Sequence, residues 1–479
     1  MQNENQCRKL GLKRTRYTWL LLAGLGSTCV FACSDDDDDD HRGPRAGSAG
    51  RAGASNGGSV SGGAGGLGGI DGNAGSPTEG GQAGAAGAAG AAGEGAGGAA
   101  GEAAGGAAGS GAGGERSVLR PEELPFDQDA FEALSLPEGF AINVYRSGLG
   151  QARMLATHGP HVYVTQPEQG NVIRLDDTDE DGVAEAQAVV AEDLPLVHGI
   201  AFHGDTVFLA NVRSVYSGAV NPDGTFGDLT EIIDDLPDGG QHFRRTIGVG
   251  PDELLYISIG STCDACAEMN PEHATILRST LAGQAEGARS IFASGLRNTI
   301  GFGWHPVTDE LWGMDHGSDW RGDDLPPEEL NAIAAGKDYG WPYCYGDREV
   351  DPIIQDPPGE TKQSYCSKTE PATLLNQAHQ APIGLTFYTG GTFPARYVNG
   401  AFIALHGSWN RRPATGYSVA FIPFDAGAPT EIEDFVTGFL LPSGTETFGR
   451  PAGITVAVDG ALLFSDDTNG IVYRVQYEP

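Results

Sequence analysis

The chain has 479 residues, with 64 acidic against 29 basic side chains and a formal net charge of −35. A surface of that sign repels polyanions, so a nucleic-acid partner is excluded. Charge of this kind bears on partners and says little about fold.

The first element is an export signal over residues 1–32. Arg8, Lys9, Lys13, Arg14 and Arg16 form a basic start, Trp19 to Leu25 an apolar run too short to span a bilayer, and Ala32 a small residue before Cys33. This segment resembles a bacterial lipoprotein leader, in which Cys33 would become the lipidated first residue and anchor the protein to the cell envelope, in the periplasm or on the outer surface. Phe31 is unusual in that box, so plain secretion stays open. Residues 33–116 follow as an acidic collar, Asp35 to Asp40, and a tract of Gly, Ala and Ser. The collar reads as a solubilising block of like charges. The tract has too little apolar bulk to bury a core and lacks the proline of a collagen repeat, so a disordered linker is expected.

Residues 117–479 change character and read as one folded domain. Short runs rich in Val, Ile, Tyr and Phe, bounded by Gly, Pro, Asp and Asn, give an all-β pattern, with Pro327 to Ala335 the clearest helical window. An aromatic strand recurs six times, centred on Tyr163, Phe208, Tyr256, Trp312, Phe402 and Phe464, at spacings of 45, 48, 56, 90 and 62 residues. That period predicts a six-bladed β-propeller with extra length in loops on one face. The strands Ala141 to Tyr145 and Ile471 to Val475 are expected to share a blade and close the ring, which removes exposed sheet edges.

Of seven cysteines, Cys7 and Cys29 belong to the leader and Cys33 to the anchor. The other four, Cys263, Cys266, Cys344 and Cys366, read as two disulfides in an exported chain; local pairing is the simplest of three connectivities. A redox or zinc role for Cys263 and Cys266 lacks a second ligand pair and a strand–helix setting. Asp177, Asp179 and Asp181 alternate ahead of Gly182 as in a calcium loop, with Glu185 at the ninth position and Ala188 where the closing carboxylate belongs. A bound calcium and a plain acidic hairpin tip both fit.

Chemistry concentrates in five loops, each beside one repeat: His198, the run Gln241 to Arg245, Arg297 with Asn298, the run His406 to Arg411, and Arg450. Any one His near a strand is ordinarily structural. Five polar sites gathering at one mouth of a propeller are not. Arg297 with Asn298 offers a planar cation and an amide for a multi-carboxylate ligand. The acidic loop from Asp315 to Asp324 offers carbonyls and carboxylates for a hard cation.

Gly295-Leu296-Arg297-Asn298, that acidic loop, the run Glu329 to Ile333 and the run Gly336 to Pro342 resemble the soluble sugar dehydrogenases that depend on pyrroloquinoline quinone (PQQ). The runs Ser261 to Cys266 and His406 to Arg411 are similar to the L-sorbosone dehydrogenase branch. The resemblance spans about Leu136 to Tyr477 and implies a six-bladed propeller that oxidises an aldose or sugar aldehyde and passes electrons to a quinone or cytochrome. It implies His242 as general base. It also implies Arg297, Asn298, Arg411 and Arg450 as holders of PQQ, and His198 as a wall of its pocket. The carbonyls of Gly317 and Ser318 would bind calcium (Ca2+), with Asp324 and Glu329 supporting that loop or a second calcium.

The chain departs from the pattern at Gln241, where soluble glucose dehydrogenases have Asp, at Ser318, where they have Pro, and at Ala452, where they have a second Arg. The lysine of the fifth blade is replaced by Arg411 or Arg412. Two other functions compete with this one. A calcium-dependent hydrolase needs carboxylates and amides caging a central ion, and these loops are mostly His and Arg. A non-catalytic surface propeller that binds glycans or proteins suits the tether equally well.

Overall fold

The computed structural model describes residues 119–479 except 239 and 288. The expected leader (1–32) and the collar and linker (33–116) lie outside the described residues.

Six four-stranded antiparallel sheets follow one another along the chain. The first blade runs Leu155–His158, His161–Gln166, Asn171–Asp176 and Ala186–Ala191, from the axis outward. The second is Gly199–His203, Thr206–Ala210, Val215–Ala219 and Thr230–Ile233. The third is Ile247–Val249, Leu254–Ile259, Thr275–Thr280 and Ser290–Ser294, extended at its edge by the parallel strand Lys337–Asp338. The fourth holds Thr299–Trp304, Leu311–Asp315, Glu328–Ile333 and Leu374–Asn376, and the fifth Pro382–Phe387, Ala401–Leu405, Ser418–Ile422 and Glu433–Val436. The sixth joins both ends of the domain. Pro451–Val456, Leu462–Asp466 and Ile471–Tyr477 are completed by Phe140–Arg146, which pairs antiparallel with the last strand. The closure expected of those two strands is present.

Each of the six aromatic repeats is the second strand of its blade, and all six aromatics are buried. The reason is positional. A second strand is covered by neighbouring blades on both faces, so it favours a large ring wherever the wedge between blades widens. Near the axis the requirement reverses, and backbones must touch. A Cβ on Gly453 would meet the Arg153 carbonyl at 2.3 Å, and one on Gly384 would meet the Ala452 carbonyl at 2.4 Å. Only glycine lets these inner strands approach so closely.

Pro327 to Ala335 is not helical. Glu328–Ile333 is the third strand of blade four, paired on both sides, and five of its six residues are buried. Tertiary pairing overrides its helical spacing, since apolar and polar positions are alike inside. The 90-residue interval between Trp312 and Phe402 contains a long excursion after that strand. It carries a short hairpin, Cys344–Tyr345 with Glu349–Val350, and the helix Lys362–Cys366. Both disulfides are local: Cys263–Cys266, and Cys344–Cys366, which staples the hairpin to the helix.

Phe402 is fully buried among Tyr397, Phe421 and Phe435. Phe402→Ala is expected to cost about 3–5 kcal/mol, whereas Val458→Ala, at a 75% exposed position, should be neutral; denaturant unfolding of the two variants checks the contrast.

Candidate active site

In an antiparallel meander, first strands begin and second strands end on the same face. That face therefore collects residues just before each inner strand and just after each second strand. The five polar loops all fall there.

Two blades use the same device to hold an arginine at this mouth. The buried Asp315, at the end of its second strand, accepts the N–H groups of Arg297 and Asn298, each at 2.9 Å, and the Thr299 hydroxyl at 2.7 Å. Asp466, at the equivalent place in blade six, accepts the N–H of Arg450 at 3.0 Å. Burial pushes both carboxyls above the usual range, Asp466 to about 7, against the opposing pull of these donors.

The arginines then join one continuous network. Ser261 N–H donates to the Arg297 carbonyl at 2.8 Å. The Arg297 guanidinium donates to the Asp264 carbonyl at 2.9 Å, to the Asp264 carboxylate at 3.1 Å and to Asp319 at 2.9 Å. Asp319 in turn accepts Asn410 of blade five at 2.6 Å. On the other side Arg245 donates to the His242 carbonyl at 2.9 Å, and its own carbonyl lies 3.3 Å from His198 Nδ1. His198 Nε2 lies 3.5 Å from Arg153 Nε. Arg153 reaches Asp467, which also pairs with His406 at 2.9 Å, and Arg450 donates to the His406 carbonyl at 3.2 Å. His242, Arg297 and Arg450, from three different blades, thus share one site. Burial alone would raise Asp467, but His406, Arg153 and Arg450 outweigh it and hold the carboxyl well below the usual range. Burial, then Arg450, lowers His406 from the ordinary imidazole value, against the pull of Asp467.

His242 has a defined tautomer. The Ser261 hydroxyl lies 2.7 Å from Nδ1 and itself donates to the Cys263 carbonyl at 2.7 Å. Its one proton is committed, so it accepts from Nδ1–H and leaves the lone pair of the imidazole on Nε2. His242 also adjoins Asn298: a Cβ on Gly260 would meet the His242 Cβ at 2.3 Å and the Asn298 amide oxygen at 2.9 Å.

Several expected residues sit elsewhere. Arg411 donates to the carbonyls of Asp323 and Pro413 and to the Asp324 carboxylate, so it clamps the acidic loop instead of joining Arg450. Asp324 is 85% exposed in its side chain and belongs to that clamp. His198 is fully buried, with Nε2 against Arg153 and Nδ1 against the Arg245 carbonyl. Asp177, Asp179, Asp181 and Glu185 place one oxygen each within 4.8 Å of the others, but in the hairpin between the two outer strands of blade one. Strand direction puts that hairpin on the face opposite the mouth.

Gly317, Ser318 and Glu329 line one small cavity of about 20 Å³, with Asp315 and Asp351 also in its wall. That is room for about one small ion or water. Burial pushes Glu329 up to about 8, with Asp315 adding to the rise. A cation would reverse that cost. Beside it, an open cavity of about 490 Å³ is walled by Gln241, Asp264, Trp320, Arg321 and Ile353.

Sequence reasoning named Arg245, Ser261, Asp264 and Asp319 only as members of longer runs, without a role, and missed Arg153 and Asp467 altogether. Arg153 and Arg297 stand two residues ahead of an inner strand and Arg450 one, and that similar placement was the available signal. Glu123 was missed too. It lies in a short strand, Glu122–Glu123, paired with Glu446–Thr447, and accepts from Arg450 at 3.3 Å.

This cluster of guanidinium groups around a defined imidazole suits a planar polyanion. A family model described as TrAA12-like matches residues 134–478. The chain belongs to the TrAA12-like family. Relatives include an uncharacterized protein of Borreliella burgdorferi, 36% identical over 50% of this chain and 61% of its own length. Another, from Synechocystis, is 30% identical over 33% of this chain and 41% of its own length. The chain thus spans less than two thirds of these relatives. A PQQ-dependent sugar dehydrogenase of Hypocrea jecorina is 27% identical over 61% of the chain and 76% of its own length. Solved structures share the fold of this TrAA12-like protein. A calcium structure of the Trichoderma reesei family AA12 enzyme covers 77% of this chain and 99% of its own at 22% identity and TM-score 0.62. The holo PQQ domain of pyranose dehydrogenase from Coprinopsis cinerea covers 72% and 97% at 20% identity and TM-score 0.60.

Asp466 carries a pH prediction. Its unfolded value is near 3.9, so between about pH 4 and pH 7 the folded chain holds a proton that the unfolded chain has lost. Stability is greatest below that window and falls as pH rises through it. Thermal midpoints of the ligand-free protein should decline from pH 4 to 7, and Asp466→Asn, which cannot ionise, should flatten that slope whatever its absolute stability.

Proposed function

We propose that this TrAA12-like protein is a PQQ- and calcium-dependent dehydrogenase that oxidises an aldose or a sugar aldehyde such as sorbosone. The observation that carries the reading is the convergence of His242, Arg297 and Arg450 on one network, with the Ser261 hydroxyl set between His242 Nδ1 and the Cys263 carbonyl. Arg297, Asn298 and Arg450 would hold the PQQ carboxylates and quinone oxygens. The cavity walled by Gly317, Ser318 and Glu329 matches one calcium ion in size and donor type. Bound PQQ would supply the quinone that accepts two electrons as hydride, and bound calcium the Lewis acid beside it.

The chain's own part is positional. The open cavity next to Gln241 offers the sugar an indole wall at Trp320 and amide and carboxylate partners. The Gln241 side-chain oxygen is buried with no hydrogen-bond donor, and a sugar hydroxyl would supply one. His242 Nε2 would take the proton of the hydroxyl on the carbon being oxidised, while Ser261 keeps the ring in the correct tautomer. Electrons would leave to a quinone or cytochrome. The leader and Cys33 favour an exported protein tethered to the cell envelope.

Titrating PQQ into the calcium-loaded protein should give saturable absorbance changes, and dye reduction should follow with a panel of aldoses and sorbosone. His242→Ala is expected to lower turnover by about 100-fold or more, and Ser261→Ala by roughly tenfold, with little change in PQQ affinity. Lactone hydrolysis without PQQ, or glycan binding without PQQ binding, would favour the other two functions. Calcium should raise the thermal midpoint of the parent, an effect that chelation reverses; Glu329→Gln should lose that increment.

A further inference from the structure

We infer that Asp264, presented by the Cys263–Cys266 loop, is the positioning residue that fixes Arg297 for its ligand. The inference rests on the dehydrogenase reading for the identity of that ligand, though not for the geometry.

One short loop reaches three parts of the site. The Asp264 carboxylate accepts Arg297 at 3.1 Å through one oxygen, which also accepts the Asp319 N–H at 2.6 Å, and Arg321 at 3.1 Å through the other. Its carbonyl accepts Arg297 Nε at 2.9 Å and, at 3.3 Å each, the Ser318 hydroxyl and the Trp341 indole. The residue before it, Cys263, accepts the Ser261 hydroxyl that sets the His242 tautomer. Asp264 therefore couples the cation, the turn at Ser318 and the base.

A carboxylate can hold two guanidinium groups at fixed angles only if its own backbone is held. Here the disulfide closes the loop on both sides of Asp264, and Glu268 ties Thr262 at its start through both the N–H, at 2.6 Å, and the hydroxyl, at 2.7 Å. Asp319 also pairs with Arg297, but it is shared with Asn410 of another blade. Asp264 is the partner whose place is set by a covalent ring.

The test uses the full chain with Asp264→Asn, Asp264→Glu and the double variant Cys263→Ser/Cys266→Ser. In PQQ-free protein, phenylglyoxal labelling of Arg297, read by peptide mass spectrometry, should be several-fold faster in Asp264→Asn, because Arg297 is now 2% exposed. PQQ titration should show affinity weakened by about tenfold, with Asp264→Glu restoring part of it. In PQQ-saturated enzyme kcat should fall more than KM changes. The double serine variant keeps the carboxylate and should move both readouts the same way by less, which also serves should Asp264→Asn fail to fold. Labelling and affinity within twofold of the parent overturn the inference. So does tighter PQQ binding in Asp264→Asn, which would make Asp264 a competitor of the ligand. A parent that binds no PQQ refutes the dehydrogenase reading, and the labelling then decides the role of Asp264 alone.

Discussion

Burying arginine at the axis of a β-ring is the constraint on which the rest of this structure depends. An unpaired guanidinium in a dry interior is too costly to persist, so each must meet carboxylates or carbonyls at good geometry. Arg153, Arg297 and Arg450 are all buried here, and the groups that answer them come from other loops and other blades. The mouth is consequently a cross-linked set of charges and not a hole lined by independent side chains. Its rigidity follows from the same requirement, since moving one arginine would leave a carboxylate of a neighbouring blade unmatched.

The fold meets this demand with a repeated solution. A buried Asp at the end of a second strand accepts the backbone of the arginine that opens the first strand, once in blade four and once in blade six. The carboxylate thereby sets the direction of the chain while the guanidinium remains available to the network. Glycines in the inner strands let the backbones close on the axis, and large rings in the second strands fill the widening space behind. Closure by a strand from the start of the domain makes the ring continuous, so no blade can splay without breaking a ladder.

Much of this architecture was legible beforehand because it depends on local pattern. The six aromatic strands were readable because each second strand has the same surroundings, and the same environment selects the same kind of residue. The local disulfides were readable for a similar reason, since short separations leave few alternatives. Glu328–Ile333 was misread because its pattern mixes acidic and apolar residues at helical spacing. Its two glutamates are buried against the N–H groups of Gly317, Ala381 and Gly346, none of them its own neighbours. Arg411 was expected to hold the ligand beside Arg450 because it lies in the right loop, yet its guanidinium meets the acidic loop and its own turn.

By itself the sequence determined the number of blades, the second strand of each, the pair of strands that closes the ring, and the loops that bear His242, Arg297 and Arg450, because strand period and loop chemistry are short-range properties. Only the tertiary structure decided which carboxylate faces which arginine and that the Ser261 hydroxyl stands against Nδ1 of His242. It also separated the acidic groups, gathering Glu329 beside Gly317 and Ser318 and leaving Asp177 to Asp181 on the opposite face. These are pairings between residues tens to hundreds of positions apart, as with Arg153 and Asp467, and the energy of such a pair depends on distance and burial that no local pattern contains.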